Sequence, residues 1–189
     1  MPASGIRGTH EIPLGSHLCL FYRRPDEFLQ VTASFLKAGL TENEFCIWVL
    51  PPPLTIPLAL DELRHHGLNG RVLQAAAQLQ ILSAKDCWFS HGAFDVADSL
   101  WRLIALSPMA RKLGFSSVRA VGGPGPFLTE ASRRTFMVYE HQATDLIAEY
   151  PFIALCCYDS TACLQTDMFD VMNAHPNALL RTYSGWFNI

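Results

Sequence analysis

The hydrophobic residues of this chain are concentrated in short continuous runs, and amphipathic stretches separate the runs. A strand with one exposed face would alternate apolar and polar residues, so continuous runs predict strands that are covered on both faces. The predicted strands are HLCLFY (17–22), FCIWVLP (45–51), LQILSA (79–84), SVRAV (117–121), FIALCCYD (152–159) and ALLRTY (178–183).

The stretches between these runs have the periodicity of helices that pack one face against a sheet. The predicted helices cover 25–39, a short segment ending near Gly67, 94–113, 129–150 and 166–174. Ser107-Pro108 is expected to interrupt the third of these, as a cap followed by proline at the first helical position. Repeated alternation of strand and helix predicts an α/β three-layer sandwich, with a mainly parallel sheet and helices on both faces.

The chain is predicted to form one domain over residues 15–189, after an N-terminal tail of residues 1–14. Half of its residues are hydrophobic and only 16% are charged, which favours a well-filled core. The formal net charge of −3 argues against direct binding of nucleic acid, which requires a basic face.

The cysteines and the apolar runs indicate the compartment. The six cysteines show no CxxC or zinc-like spacing, which favours a reduced, cytoplasmic protein. No apolar stretch reaches about 18 residues, so no association with a membrane is predicted. Residues 1–11 lack the apolar core of a signal peptide.

The first strand–helix turn, Tyr22–Glu27, lies where many α/β proteins hold a phosphate group. It contains no glycine, and Asp26 and Glu27 in the first helical turn would repel a phosphate. The neighbouring arginines 23 and 24 are expected to lie in solvent or to pair with these acids. The segment GGPGPF after strand 117–121 is also unsuitable, because its prolines lack N–H donors. Nucleotide binding is therefore not expected, and no cofactor is predicted.

Several short patterns occur together in this chain. They are His17-x-Cys19-x-x-Tyr22, a helix ending in Gly39-Leu40, Glu44 before an apolar strand, HGAFD (91–95), GFSSVRAVG (114–122), YEHQATDLIAEYPFIALCCYD (139–159) and AHP (174–176). In combination, over roughly residues 15–185, they resemble the MEDS domain, the methanogen/methylotroph and dichloromethane-regulator sensory domain. Two features depart from that family: the chain has no room for a fused DNA-binding or kinase domain, and GGPGPF replaces a stretch that often carries an acid and a tryptophan.

The resemblance implies a RecA/KaiC-like fold that has lost its phosphate loop. It also implies a sensory domain for small hydrocarbon derivatives, acting in signal transduction or transcriptional regulation through a partner protein. The expected partners are a small apolar or weakly polar ligand, a regulatory protein and a possible second copy in a homodimer. The alternatives are an inactive scaffold for protein–protein interaction and a nucleotide-dependent enzyme. No nucleophile–base pair is recognisable in the sequence, so the protein is not expected to be an enzyme.

Ligands of open α/β sheets bind beyond the carboxyl ends of the strands. By the resemblance, strand 17–22 lies beside strand 152–158, which would place Tyr22 near Asp159. Tyr22 and Tyr158, the two tyrosines expected at this edge, could instead simply complete the core. The predicted ligand-binding residues are Tyr22, Arg119, Glu140, Tyr158, Asp159 and His17.

Two charged residues fall at positions that predict burial. Glu140 shares the apolar stripe of helix 129–150 with Phe136 and Ala143, and Arg119 lies in the middle of a strand. A buried charge requires a partner, so these two residues are predicted to form a buried ion pair. The pair has either a purely structural role or that of a polar anchor in the pocket.

His17 and Cys19 share one face of their strand, and with Cys156 or Cys157 they could form a metal site. A core histidine among apolar cysteines is the favoured interpretation, because no ligand spacing or supporting carboxylate is recognisable. No metal is therefore predicted. Cys156 and Cys157 are expected to point to opposite faces of their strand.

Overall fold

A computed structural model describes residues 1–89, 92–125, 130–163, 165–182 and 185–188. Its strands are β1 (Ser16–Tyr22), β2 (Phe45–Leu50), β3 (Leu79–Ser83), β4 (Val118–Gly122), β5 (Phe152–Asp159), β6 (Asn177–Thr182) and β7 (Gly185–Asn188). Its helices are α1 (Pro25–Thr41), α2 (Ile56–His65), α3 (Gly70–Ala75), α4 (Ala84–Trp88), α5 (Val96–Lys112), α6 (Glu130–Ala148) and α7 (Gln165–Ala174).

The strands form one sheet in the order β3-β2-β4-β5-β1-β6-β7. All neighbouring pairs are parallel except β6 with β7. The predicted three-layer α/β architecture is confirmed. The predicted adjacency of strands 17–22 and 152–158 is also confirmed, because β1 pairs with β5 and Tyr22 lies opposite Asp159.

The two faces of the sheet carry different helices. Connections from β1 through β2 to β3 run along the sheet in one direction, whereas those from β3 through β6 run in the other. Because parallel crossovers are right-handed, a reversal of direction puts the connecting helices on the opposite face. The face that we call the α1 face carries α1, α2 and α3, and the α6 face carries α4, α5, α6 and α7.

Some predicted elements differ from the structure. Helix α5 runs unbroken through Pro108, so the predicted interruption at Ser107-Pro108 is wrong. A proline inside a helix removes one hydrogen bond and crowds the carbonyl of the preceding turn, but the remaining hydrogen bonds of this 17-residue helix keep it continuous. The two short helices α3 and α4 and the strand β7 were not predicted. The predicted helix start at Thr129, the predicted strand end at Tyr183 and His91 of HGAFD lie outside the described residues.

Residues 1–14, predicted as a tail, pack against the α1 face. Ile6 and Ile12 are buried in the same core cluster as α1, and Ser4 is fully buried. Ala3 forms an antiparallel bridge with Glu11, which folds this segment back on itself. None of the described helices is both long and apolar enough to cross a membrane.

Candidate functional site

Arg119 and Glu140 are both fully buried, but they do not meet. Arg119 belongs to the α1 face, where it forms two hydrogen bonds with the carboxylate of Glu44. Its Nε atom donates to Oε2, and its Nη2 atom donates to Oε1 at 3.2 Å. Its Nη1 atom donates to the carbonyl oxygens of Ala3 and Phe35, at 3.0 and 3.1 Å. The predicted burial of both residues is correct, but the predicted ion pair between them is wrong.

The physical reason lies in the alternation of β4. Val118 and Ala120 face the α6 side with Glu140, whereas Arg119 and Val121 face the α1 side. Helix periodicity correctly turns Glu140 toward the sheet, but it does not say which face of the sheet its helix covers.

Glu140 instead lies in a cluster with two histidines and a cysteine on the α6 face. Its Oε2 atom is 3.3 Å from Nε2 of His17, 3.6 Å from Nε2 of His175 and 3.7 Å from Sγ of Cys156. The Nε2 atom of His17 also lies 3.2 Å from Sγ of Cys156. We call His17, Glu140, Cys156 and His175 the His–Glu–Cys–His cluster.

Four elements of the α6 side bring this cluster together. His17 projects from β1 and Cys156 from β5, on the same face of two paired strands. Glu140 comes from the middle of α6, and His175 follows the last residue of α7. His17, Glu140 and His175 are at most 4% exposed, so all three are shielded from bulk water.

Neighbouring groups fix the histidine tautomers. Nδ1 of His175 lies 2.7 Å from the carbonyl oxygen of Val171, so this nitrogen is the donor and Nε2 carries the lone pair. Thr144 Oγ1 lies 2.7 Å from the Ala174 carbonyl oxygen, 3.1 Å from the Glu140 carbonyl oxygen and 2.7 Å from Nδ1 of His17. The single hydroxyl hydrogen goes to a carbonyl, so Nδ1 of His17 donates to Thr144 and its Nε2 atom faces Glu140 and Cys156.

Burial and mutual interaction shift the titration of these groups. Burial, which outweighs the attraction of Glu140, lowers the pKa of His175 to about 4. Burial opposes ionisation of Glu140, but its pKa is held below the usual value by hydrogen bonding to His17 and the nearby His175. Burial raises the pKa of the Cys156 thiol well above its ordinary value.

A cavity of about 390 Å³ lies between the α6 face of the sheet and helices α4, α5 and α6. This volume is within the range typical of small-molecule sites. The short side chains of Ala120 and Ala154 in the middle of the sheet leave this space open. The apolar part of its lining includes Ile47, Ala120, Ala154, Leu103, Leu106 and Ile147.

Polar groups lie toward both ends of this cavity. His17 and Cys156, two members of the cluster, are part of its lining on the β1 and β5 side. Gln80, on the outermost strand β3, and Arg102 of α5 are part of it at the opposite end. Trp88 also lines the cavity, and its indole Nε1 atom is buried with no hydrogen-bond partner among the described residues. The cavity is therefore an apolar space with a few convergent polar groups, as small-molecule sites commonly are.

A larger depression of about 650 Å³ lies at the surface beside α2 and α3. Its lining includes Arg64, an exposed side chain that pairs with Asp61 at 2.6 Å. None of the predicted site residues lines this depression. The cavity under α5 and α6 is therefore the candidate functional site.

The predicted ligand-binding residues are divided by the sheet. His17, Glu140 and Tyr158 lie together on the α6 face, where the Tyr158 hydroxyl donates to Oε1 of Glu140 at 2.5 Å. Tyr22 lies on the α1 face against the ring of Phe28, so it shares no pocket with Glu140. The predicted single site between Tyr22, Arg119, Glu140 and Tyr158 is therefore wrong as a geometric arrangement.

Asp159 and the neighbouring strand–helix turn are occupied by local contacts. Oδ1 of Asp159 accepts from the backbone N–H and the hydroxyl of Thr161, at 2.8 and 2.7 Å. In the first turn of α1, the Glu27 carboxylate accepts from the backbone N–H of Arg23 at 2.9 Å. A carboxylate of the protein thus takes a donor that a phosphate would need.

His175 and Glu44 are the important residues that the predicted site omitted. Both belong to the patterns on which the family resemblance rests, AHP (174–176) and the glutamate before strand 45–50. The patterns alone assign neither residue a partner. Cys156 was considered as a metal ligand, but the carboxylate that now joins it was not recognised.

The fold is that of an α/β domain of RecA/KaiC-like architecture, and a mainly apolar cavity lies on the α6 face of its sheet. Among solved structures, the chain is similar to a KaiC-like protein of the hyperthermophilic archaeon Pyrococcus horikoshii OT3, with a TM-score of 0.64 and 14% identity. That alignment covers 98% of this chain and 84% of the archaeal chain. The comparison with curated proteins gave no match.

The family model of the MEthanogen/methylotroph, DcmR Sensory domain (MEDS) matches residues 16–176. The chain belongs to this family. The resemblance inferred from the sequence is thereby confirmed, and with it a sensory class of domain.

Proposed function

We propose that this domain senses a small, uncharged or weakly polar molecule that binds in the cavity between the α6 face and helices α4, α5 and α6. The observation that carries the proposal is the cavity itself: an apolar space of about 390 Å³ with polar groups toward its two ends. Membership of a sensory-domain family supports the same function.

The chemistry of the lining narrows the ligand class. The apolar middle favours a short hydrocarbon skeleton, because its burial removes apolar surface from water. The buried, unpaired indole N–H of Trp88 favours a ligand that also carries a hydrogen-bond acceptor. Halocarbons, alcohols, thiols and methylated amines of low molecular weight are the compound classes that we propose.

We further propose that the output passes to a partner protein in signal transduction or transcriptional regulation. Helix α5 is suited to this role, because Leu103 and Leu106 line the cavity while Trp101 of the same helix is 73% exposed. We propose no catalytic activity and no nucleotide cofactor for the domain. A cytoplasmic location is proposed from the free state of all six cysteines.

A thermal-shift screen of these compound classes tests the proposal. A ligand that binds only the folded state adds about 2.7 kcal/mol to the free energy of unfolding at 100 times its dissociation constant, which is visible as a higher melting temperature. The screen is repeated on Ala120→Leu, which fills the cavity, and on Ala76→Leu, a control at an exposed position. The shift is expected to disappear in Ala120→Leu and to persist in Ala76→Leu.

Two outcomes would contradict the proposal. If no compound shifts the wild-type melting temperature, the scaffold function becomes the better explanation. If Mg-ATP binds with micromolar affinity in a calorimetric titration, a nucleotide-dependent function becomes the better explanation.

A further inference from the structure

The His–Glu–Cys–His cluster presents four electron-pair donors to one small volume. The ligand atoms of His17, Glu140, Cys156 and His175 all lie within 4.8 Å of one another. Both imidazole groups turn their Nε2 atoms inward, because their Nδ1 atoms donate to Thr144 and to the Val171 carbonyl. When both imidazoles are neutral and their Nε2 lone pairs are free, these lone pairs and the carboxylate oxygen repel each other, and a metal cation between them would replace that repulsion by attraction.

His175 provides an independent indication of a missing partner. Its side chain is fully buried, and Nε2 has no hydrogen-bond partner among the described residues. The atom lies 3.6 Å from Oε2 of Glu140, beyond hydrogen-bond distance. A buried acceptor of this kind is destabilising unless something fills the space it faces.

The spacing of these atoms suits a tetrahedral metal ion. Metal–ligand bonds of about 2.0–2.3 Å place tetrahedral ligand atoms about 3.3–3.8 Å apart. Oε2 of Glu140 lies 3.3, 3.6 and 3.7 Å from its three neighbours, and Nε2 of His17 lies 3.2 Å from Sγ of Cys156. These four of the six ligand pairs therefore need shifts of only a few tenths of an ångström, whereas the pairs of His175 with His17 and with Cys156 lie within the wider limit of 4.8 Å, which leaves room for a larger closing shift.

The surroundings also match those of metal-binding histidines, which donate their second nitrogen to an oxygen of the protein. Thr144 and the Val171 carbonyl provide these oxygens, both at 2.7 Å. Tyr158 donates to the other carboxylate oxygen of Glu140 and holds it in place.

We propose that His17, Glu140, Cys156 and His175 bind one divalent transition-metal ion of the zinc type. Binding converts the Cys156 thiol to a thiolate and releases its proton to solvent. The charges of the thiolate and the Glu140 carboxylate then offset the +2 charge of the ion, and because both imidazoles are neutral, the buried site has no net charge. The mixed nitrogen, sulfur and oxygen set favours Zn²⁺, Co²⁺ or Fe²⁺ over Mg²⁺ and Ca²⁺, which prefer oxygen.

The metal would also be reachable from the cavity, because His17 and Cys156 line it. A ligand with a thiol, amine or hydroxyl group could therefore reach the metal and add to it as a fifth ligand. This extension rests on the proposed function, whereas metal binding by the cluster does not.

Co²⁺ titration of the purified, chelator-treated full chain tests the proposal. We expect one equivalent to bind, with a thiolate-to-cobalt charge-transfer band and the intense visible bands of tetrahedral cobalt. One equivalent of Zn²⁺ should displace these bands, and direct elemental analysis should find one metal per chain.

Matched variants identify the ligands. Cys156→Ser should abolish the charge-transfer band, whereas Cys157→Ala, its neighbour on the opposite face, should retain it. His175→Gln should abolish stoichiometric binding, whereas His141→Gln, an exposed histidine outside the cluster, should not. Thr144→Val keeps all four ligands and should weaken Zn²⁺ binding about 10–100-fold.

Circular dichroism establishes that each variant is folded before its spectrum is compared. Wild-type protein that is folded and yet binds no Co²⁺ after desalting would overturn the proposal, even if every variant failed to fold. Binding that His175→Gln and Cys156→Ser leave unchanged would overturn it as well.

The cavity variant separates this proposal from the proposed function. Ala120→Leu lies two strands from β1, so it should block small-molecule binding and leave the cobalt spectrum unchanged. Cobalt binding without any small-molecule binding would retain the metal site and reject sensing in the cavity. Small-molecule binding by wild-type protein that takes up no metal would retain sensing in the cavity and reject the metal site.

Discussion

The hydroxyl group of Tyr158 donates to Oε1 of Glu140 at 2.5 Å, while Oε2 of the same carboxylate faces His17 and His175. Tyr158 thus holds one oxygen and leaves the other to the cluster. Both side chains are buried, so water cannot replace this hydrogen bond if it is lost.

Tyr158→Phe should therefore lower the free energy of unfolding by about 1.5–3 kcal/mol, the usual range for a hydrogen bond to a charged group. Urea denaturation of metal-free protein measures the change. Tyr150→Phe, which removes a hydroxyl group outside the cluster, is the control. Equal effects of the two substitutions would show that the Tyr158–Glu140 hydrogen bond contributes nothing specific.

The buried pair of Arg119 and Glu44 gives a second prediction. Removing one partner leaves an uncompensated buried charge, so Arg119→Met and Glu44→Gln should each cost about 3–5 kcal/mol. The double variant should cost less than the sum, because neither charge is then left unpaired. In Arg119→Met with Glu140→Gln the two effects should add, because these residues lie on opposite faces of the sheet. Denaturant unfolding of the single and double variants tests both cycles, and coupling in the second instead of the first would contradict the structure.

Gly39 lies where α1 passes over this ion pair. A methyl group there would lie 2.5 Å from Nε of Arg119 and 2.7 Å from its Cδ, closer than atoms can approach. Gly39→Ala should thus destabilise the protein, although alanine favours a helix interior by about 1 kcal/mol over glycine. The melting temperature of the variant shows whether the protein is destabilised or stabilised. An increase would show that the Arg119–Glu44 pair readily moves aside.

Cys87 gives a prediction for alkaline pH. Burial raises the pKa of this thiol from 9.0 to about 11, against a smaller opposing effect of Arg102. The pKa of this thiol is higher in the folded than in the unfolded protein. Its contribution to the free energy of unfolding is therefore complete below pH 9 and is lost as the pH rises toward 11. Wild-type stability should therefore fall more steeply over this range than that of Cys87→Ala, by at most about 1.4 kcal/mol per pH unit. Urea titrations at several pH values measure the two slopes, and identical slopes would contradict the prediction.

The sequence predicts the architecture because each strand is apolar over its whole length and the segments between strands have helical periodicity. It does not predict the order of the strands, which arises from contacts between residues far apart in the chain. That order decides which helix covers which face, and it explains why the burial of Arg119 and Glu140 was predicted correctly while their partners were not.

The cluster shows the same division between local and long-range information. The inward orientation of Glu140 follows from its helical stripe, and the shared face of His17 and Cys19 follows from strand alternation. The approach of His175 depends on the docking of α7 beside α6, which no local pattern specifies. The cavity likewise depends on how closely the helices approach Ala120 and Ala154, and therefore on packing between distant segments.

Strand β4 presents consecutive residues to two different environments. The guanidinium group of Arg119 holds the carbonyl oxygen of Ala3 at 3.0 Å on one side, and the methyl group of Ala120 borders the cavity on the other. Strand β4 thus contacts the cavity through Ala120 and the N-terminal segment through Arg119. A molecule that displaces β4 while entering the cavity must also shift the anchoring point of residues 1–14, so amide exchange in that segment would report occupancy from the opposite face of the sheet.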